Sequence, residues 1–245
     1  MPNNVLPFTV GVEIEFNCRE NPGVAIPCNW IEKRDGSCGF EVNSPILRTV
    51  KDLETVKVVC DFLKENAHND ARCGLHVHLG MQDVHDLSMK YRLFRFCAHF
   101  EKEFFSIADE TRRNNNFTRH LSSGILTGIR SGMGWGSWSA VDDRYHWVNG
   151  RNMGSGGNKT TVEFRLMRSS FDHKYVTGWI CFLLCVATYA TRDRTRFDWE
   201  VSSVRPGDTL KLLDWIHHAK VLEDLGKIYA TAVTWMENRS MEFAR

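Results

Sequence analysis

The chain has no excess charge of either sign: across 245 residues, 31 lysines and arginines stand against 30 aspartates and glutamates. No global field therefore draws in a nucleic-acid backbone or an anionic membrane, and only a local basic patch would serve such a partner. Long apolar runs are also missing. The most apolar stretch, Val176 to Ala190, is 15 residues long and is interrupted by Thr177, Gly178, Thr188 and Tyr189, short of the roughly 20 residues that span a bilayer. It predicts a buried helix, with no membrane partner. Met1-Pro2-Asn3-Asn4 lacks the basic stretch and apolar core of a secretory signal, so a cytoplasmic location is expected. Among the eight cysteines no Cys-x-x-Cys pair occurs, which favours reduced thiols over a disulfide framework. Cys18, Cys28 and Cys38 are nearly evenly spaced but have no fourth soft ligand nearby in the sequence to make a zinc site.

Several catalytic signatures are absent too. There is no Gly-x-Ser-x-Gly elbow, and no cysteine and histidine are spaced as a nucleophilic pair. The segment Gly154-Ser155-Gly156-Gly157-Asn158-Lys159-Thr160 imitates a P-loop but has Asn158 where glycine must precede the lysine, and a strand pattern follows it instead of a helix. No internal repeat or Pro/Gly/Ser linker divides the chain, so one domain over residues 1–245 is expected.

What the chain does contain is one alternating pattern, used four times: Val10-Gly11-Val12-Glu13-Ile14-Glu15-Phe16, Gly39-Phe40-Glu41-Val42-Asn43, Cys73-Gly74-Leu75-His76-Val77-His78-Leu79 and Thr161-Val162-Glu163-Phe164-Arg165-Leu166. Side chains on a strand point to opposite faces in turn, so each segment has one apolar face and one face of carboxylate, imidazole or guanidinium. Helical spacing follows at Leu53, Val56, Val59, Cys60 and Leu63, with Asp52 as the expected cap, and again over residues 86–109. Residues 172–245 are expected to be mostly helical. The Gly- and Trp-rich segment 131–157, with Trp135, Trp138 and Trp147, is either a lid over a site or a packed loop. These patterns predict an α+β fold with helices on one face of a sheet and chemistry on the other.

Glu13 and Glu15 share a face a few ångströms apart, and ionising both raises at least one pKa unless a cation compensates. Hard oxygen donors with an imidazole suit magnesium, and open positions on such an ion take phosphate oxygens. A solvated strand edge would equally account for this pair. His76 and His78 form a His-x-His motif on the same alternation. Glu163 and Arg165 read either as a surface ion pair or as a metal ligand beside a phosphate fork. On an open face such groups contribute little to stability, so substituting them is expected to remove function and spare the fold.

These residues, with Asp35-Gly36-Ser37, Ser44-Pro45 and Val148-Asn149 in the same order, resemble the amidoligase family, relatives of glutamine synthetase and glutamate-cysteine ligase. The resemblance spans residues 10–172. It implies a glutamine-synthetase-like antiparallel or mixed sheet and an ATP- and Mg2+-dependent carboxylate–amine ligase, with Mn2+ as a substitute ion, forming an amide through an acyl phosphate. By position it implies Glu13, Glu15, Glu41, His76 and Glu163 as metal ligands. It also implies His78, Arg165, Asn149 and Arg144 as nucleotide or phosphate contacts, Arg165, Glu163 and Glu41 in catalysis, and Asp35 as a further ligand or a turn residue. Substrates would be an amino acid, peptide or similar amine and carboxylate. A His-x-His metal hydrolase and an inactive binding module of the same fold remain the rival readings.

Overall fold

The computed structural model describes residues 4–84, 87–113, 115–121, 143–154, 160–192 and 209–243. The alternating segments all form strands. β1 (Val5–Phe16) is the longest. β2 (Cys18–Arg19), β3 (Ile31–Asp35), β4 (Gly39–Asn43) and β5 (Leu47–Thr49) follow, then helix α1 (Glu54–Asn66), β6 (Ala67–His68) and β7 (Gly74–Gly80). Among the described residues the main sheet runs β3-β4-β1-β7, then β9 (Thr161–Arg168), then β8 (Val148–Asn149). All these neighbours pair antiparallel, and β5 pairs with the first half of β1. The architecture is α+β, as the alternation predicts, and among the described residues the main sheet is open and antiparallel, one of the two arrangements the resemblance implies.

One face of that sheet is a continuous apolar layer. Val10, Val12, Ile14 and Phe16 of β1, Val42 of β4, Leu75, Val77 and Leu79 of β7, and Val162, Phe164 and Met167 of β9 are all essentially inaccessible. Helices cover it, because period-2 and period-3.6 stripes bury each other when layered. On α1, Val56, Val59, Cys60 and Leu63 form the buried stripe. Asp52 does not cap α1, whose N-cap is Leu53. Its carboxylate instead accepts the backbone N–H groups of Arg48 and Thr49, each at 2.8 Å, closing the preceding turn. The helix expected over residues 86–109 is two, α2 (Leu87–His99) and α3 (Glu101–Ser106), interrupted at Phe100 with φ −94° and ψ 16°. Just after the break, buried Glu101 accepts the N–H of Leu121 at 2.7 Å and Trp147 Nε1 at 2.9 Å.

Two short helices, α4 (Glu110–Arg113) and α5 (Arg151–Gly154), border the sheet, and three longer ones complete the described chain: α6 (His173–Arg192), α7 (Thr209–His218) and α8 (Lys227–Phe243). The run expected as 15 apolar residues lies in α6, which is 20 residues long. By length and composition alone His173–Thr191 would suffice to cross a membrane, but 78% of its most apolar window is buried inside the protein. It packs on α8, α2, α1 and the apolar faces of β1 and β7, as a core helix does.

Gly178 fixes the α6–α8 approach: a Cβ there would stand 2.2 Å from Trp235 Cδ1. Trp235 is boxed by Trp179 and Phe182, with ring centroids 5.5 and 5.6 Å away, and cannot swing aside. Alanine gains about 1 kcal/mol of helix propensity over glycine, but the overpacking cost is larger. Gly178→Ala is therefore expected to lower stability by about 2 kcal/mol, measured by urea unfolding; an unchanged or raised midpoint would contradict this packing.

Candidate functional site

The strand register gathers the polar side chains on the face opposite the apolar layer. Directly paired residues share a face, and three rows result. Glu41 on β4 is opposite Glu15 on β1. Asn43 is opposite Glu13, and Glu13 opposite His76 on β7. Gly11 is opposite His78, His78 opposite Glu163 on β9, and Glu163 opposite Asn149 on β8. The register shifts between Leu75 and Val77, where β7 pairs with Met167 and Phe164, so β9 bulges at Arg165 and Leu166.

The contacts are those of a single cluster. His76 Nδ1 lies 3.0 Å from Glu13 Oε2 and 3.9 Å from Glu163 Oε1, and His76 Nε2 lies 3.3 Å from Glu15 Oε1. His78 Nε2 stands 3.2 Å from Glu13 Oε1 and 4.0 Å from Glu163 Oε1. Arg165 Nη1 donates to Glu163 Oε1 at 2.6 Å, and Asn149 Nδ2 donates to Glu163 Oε2 at 2.9 Å. The backbone N–H of Gly74 donates to Glu15 Oε2 at 2.6 Å. Glu41 sits at the border, held by Asn43 Nδ2 at 2.8 Å.

The face is not open. Glu15 is 4% exposed, His76 2%, Glu163 7% and Arg165 6%, which corrects the expectation that these groups contribute little to the fold. The Glu163–Arg165 pair is buried rather than a surface ion pair. Burial also amplifies the electrostatics. Desolvation pushes Glu13 up, yet the two imidazoles outweigh it and hold its carboxyl far below the usual range. Burial likewise opposes ionisation of Glu163, and His76, Arg165 and His78 reverse that and lower it. His78 is raised: burial disfavours its charge, but Glu13 and Glu163 overcome that. Glu41 is raised, mainly by desolvation. The cluster thus keeps carboxylates ionised by surrounding them with cationic groups.

One member had no sequence signal. Arg112 on α4 is 1% exposed, donates from Nη2 to the carbonyl of Arg165 at 2.8 Å and feels Glu15. Burial lowers its pKa to about 10, so it remains a cation. Its place depends on Gly74: a Cβ there would lie 2.9 Å from both Arg112 Nη2 and His76 Nε2. The Gly-x-His-x-His alternation therefore leaves a side-chain gap that a guanidinium and an imidazole fill.

The remaining sequence candidates are placed less centrally. Arg144 is exposed with its guanidinium over the Tyr145 ring, and only its carbonyl accepts Asn149 Nδ2, at 3.4 Å. Asp35 is a turn acceptor for the N–H groups of Ser37 and Cys38. Trp147 is a packing residue, fully buried with its ring 4.7 Å from that of Phe104. Residues 131–142 and 155–159 of the candidate lid, Trp135 and Trp138 among them, lie outside the described residues.

The donor set fits a divalent cation. Glu13, His78 and Glu163 bring ligand atoms within 4.8 Å of one another. His76 Nε2 and His78 Nε2 stand 3.3 Å from Glu15 Oε1 and 3.2 Å from Glu13 Oε1, so an ion between ring and carboxylate would find ligands on both sides. Carboxylate oxygens with imidazole accommodate magnesium or manganese.

An open antiparallel sheet with helices on its apolar side, and a buried carboxylate–imidazole–guanidinium cluster on the other, defines an α+β protein whose chemistry is carried by strands. Residues 25–187 match the family model described as "Putative amidoligase enzyme", and the chain belongs to this family. The matched stretch begins after β1, so Glu13 and Glu15 join the cluster on the strength of the sheet register. No curated protein matches the chain in sequence.

Two substitutions test this geometry. Gly74→Ala should displace Arg112 and His76 and weaken Mn2+ binding by at least about 10-fold with the far-UV circular dichroism unchanged; wild-type affinity in a Mn2+ titration would refute the gap. Arg165→Ala leaves Glu163 buried beside fewer cations and should cost about 3 kcal/mol in denaturant unfolding. A loss under 0.5 kcal/mol, as expected for an exposed pair, would contradict it.

Proposed function

We propose that the protein is an ATP- and Mg2+-dependent carboxylate–amine ligase with a glutamine-synthetase-like sheet, forming an amide through an acyl phosphate. The observation that carries this reading is the buried cluster itself: carboxylates kept ionised next to ring nitrogens, with the Arg165 and Arg112 guanidiniums at one side. A hydrolase centre on His76 and His78 needs neither Glu15 nor two buried arginines.

Carboxylates do not condense with amines in water because hydroxide leaves poorly. In the proposed reaction a substrate carboxylate oxygen attacks the γ-phosphorus of ATP, ADP leaves, and the acyl phosphate so formed is attacked by a free amine, releasing phosphate. The amine's proton passes to a nearby base. Divalent ions, when bound, would offset the negative charge of the phosphate groups. Glu13, Glu15, His76 and Glu163 would hold those ions, and Glu41 would do so from the border. Arg165, with Arg112 behind it, would present forked donors to the transferring phosphoryl group, and His78 with Asn149 would orient phosphate oxygens. Arg144 is a peripheral nucleotide contact in this scheme. The amine and carboxylate belong to an amino acid, a peptide or a similar pair.

The test is the thermal midpoint with ATP, Mg2+, both together, and zinc. A ligand binding only the native state at about 100-fold over its Kd contributes about 2.7 kcal/mol, a rise of roughly 5–10 °C for a chain of this size. The rise is expected only with ATP and Mg2+ together, and is expected to vanish in Glu13→Gln. Stabilisation by zinc with no nucleotide response in the wild type would instead favour the hydrolase reading.

A further inference from the structure

The helical side of the molecule carries a concavity of its own. A groove of about 910 Å3 opens between α1 and α8, with the first half of α6 as its floor, near the upper end of the range for small-molecule sites. No residue of the carboxylate cluster lines it. Its lining on α8 runs from Lys227 to Glu242, about 22 Å at the rise of an α-helix. Leu53, Cys181, Ile228 and Trp235 give it a buried apolar wall, and Val58, 47% exposed, gives it an apolar lip. Trp235 is held by Trp179 and Phe182, so this wall is formed before any ligand arrives. Its indole Nε1 is buried with no hydrogen-bond partner among the described residues. The Cδ1 side of that ring, which carries Nε1, lies against Gly178, whose helix neighbours Thr177 and Cys181 line the groove. Buried donors without an acceptor are rare in native proteins, and an acceptor brought by a ligand would complete this one.

Charge decides what the groove takes. Arg239 is committed to the Ile107 carbonyl and Glu242, Lys57 to Asp61, and Asp172 to the backbone N–H of Lys174. Lys174 and Lys227 have no carboxylate partner among the described residues, against Glu54 as the one lining acid left in the same position. The two lysines mark opposite ends, because Tyr175 meets Arg239 whereas Lys227 acts on Cys181. We propose that this groove binds a long-chain carboxylate, with the chain laid along α8 against Leu53, Ile228 and Trp235 and the head group at the start of α6 beside His173 and Lys174. The Lys227 end holds the buried Cys181 and Ile228, and a lysine stem there adds apolar surface to the chain's path. Each methylene taken out of water adds to affinity, so binding strengthens with chain length. The groove does not depend on the ligase reading.

The experiment is calorimetric titration of the full chain with dodecanoate below its micellar concentration. Butyrate and dodecanol serve as probes lacking the chain and the charge, and sedimentation velocity runs in parallel. One equivalent of dodecanoate is expected to bind with micromolar Kd, with butyrate silent and dodecanol at least about 10-fold weaker. Thr234→Trp, at an exposed helix position lining the groove, should abolish binding with the circular dichroism unchanged. Lys174→Glu should weaken binding at least about 10-fold, and Lys227→Glu should change it by less than about 3-fold. The proposal is overturned if dodecanoate does not bind, if dodecanol binds equally well, if Thr234→Trp or Lys174→Glu binds like wild type, or if Lys227→Glu costs more than Lys174→Glu. A dimer that Thr234→Trp dissociates, with no dodecanoate bound by either protein, would overturn it in favour of a second copy of the chain. Failure of ATP and Mg2+ to stabilise the wild type would leave this result untouched.

Discussion

Four carboxylates brought onto one buried sheet face repel each other, and the electrostatic cost of that repulsion organises the rest of the site. Glu13 and Glu163 are held below the usual carboxylate range because His76, His78 and Arg165 stand within a few ångströms of them. Burial makes each of these interactions stronger and each missing partner more costly. In the proposed function the same balance suits the cluster to a divalent cation, because an ion bound there would take over part of the charge compensation.

Precision in the cluster comes from the sheet. Antiparallel pairing sets Glu13 across from His76, and His78 across from Glu163, without any loop in between. Behind it, a layer of valine, isoleucine, leucine and phenylalanine packs against α6, on which α1 and α2 pack in turn. A slip of one residue in β1 or β7 would turn glutamates and histidines into that apolar layer, so the hydrophobic core and the site enforce the same register. The absence of side chains also contributes: Gly74 leaves the space in which Arg112 and His76 sit.

The legible part of this molecule was whatever has a short period. Alternation revealed the four strands and the side chains sharing their polar face, 3.6-residue spacing revealed α1, and the 15-residue apolar run revealed the core helix α6. Features decided by tertiary placement were hidden. Arg112 lies on a four-residue helix whose sequence, Glu-Thr-Arg-Arg, reads as a solvated turn. Asp52 has the chemistry of a helix cap but closes the turn ahead of it. The break at Phe100 has no proline or glycine to announce it. The depth of the site was hidden for the same reason, since alternation distinguishes two faces but not whether the polar one is covered.

The central claim is that this cluster holds the metal ions that engage a nucleotide. The most direct test is a crystal structure with Mn2+ and a non-hydrolysable ATP analogue, using manganese anomalous scattering to locate the ions. The account predicts manganese bound by Glu13, Glu163 and the neighbouring imidazoles, with the γ-phosphate between the metal and Arg165. Manganese elsewhere, or a nucleotide bound away from this sheet face, would contradict it.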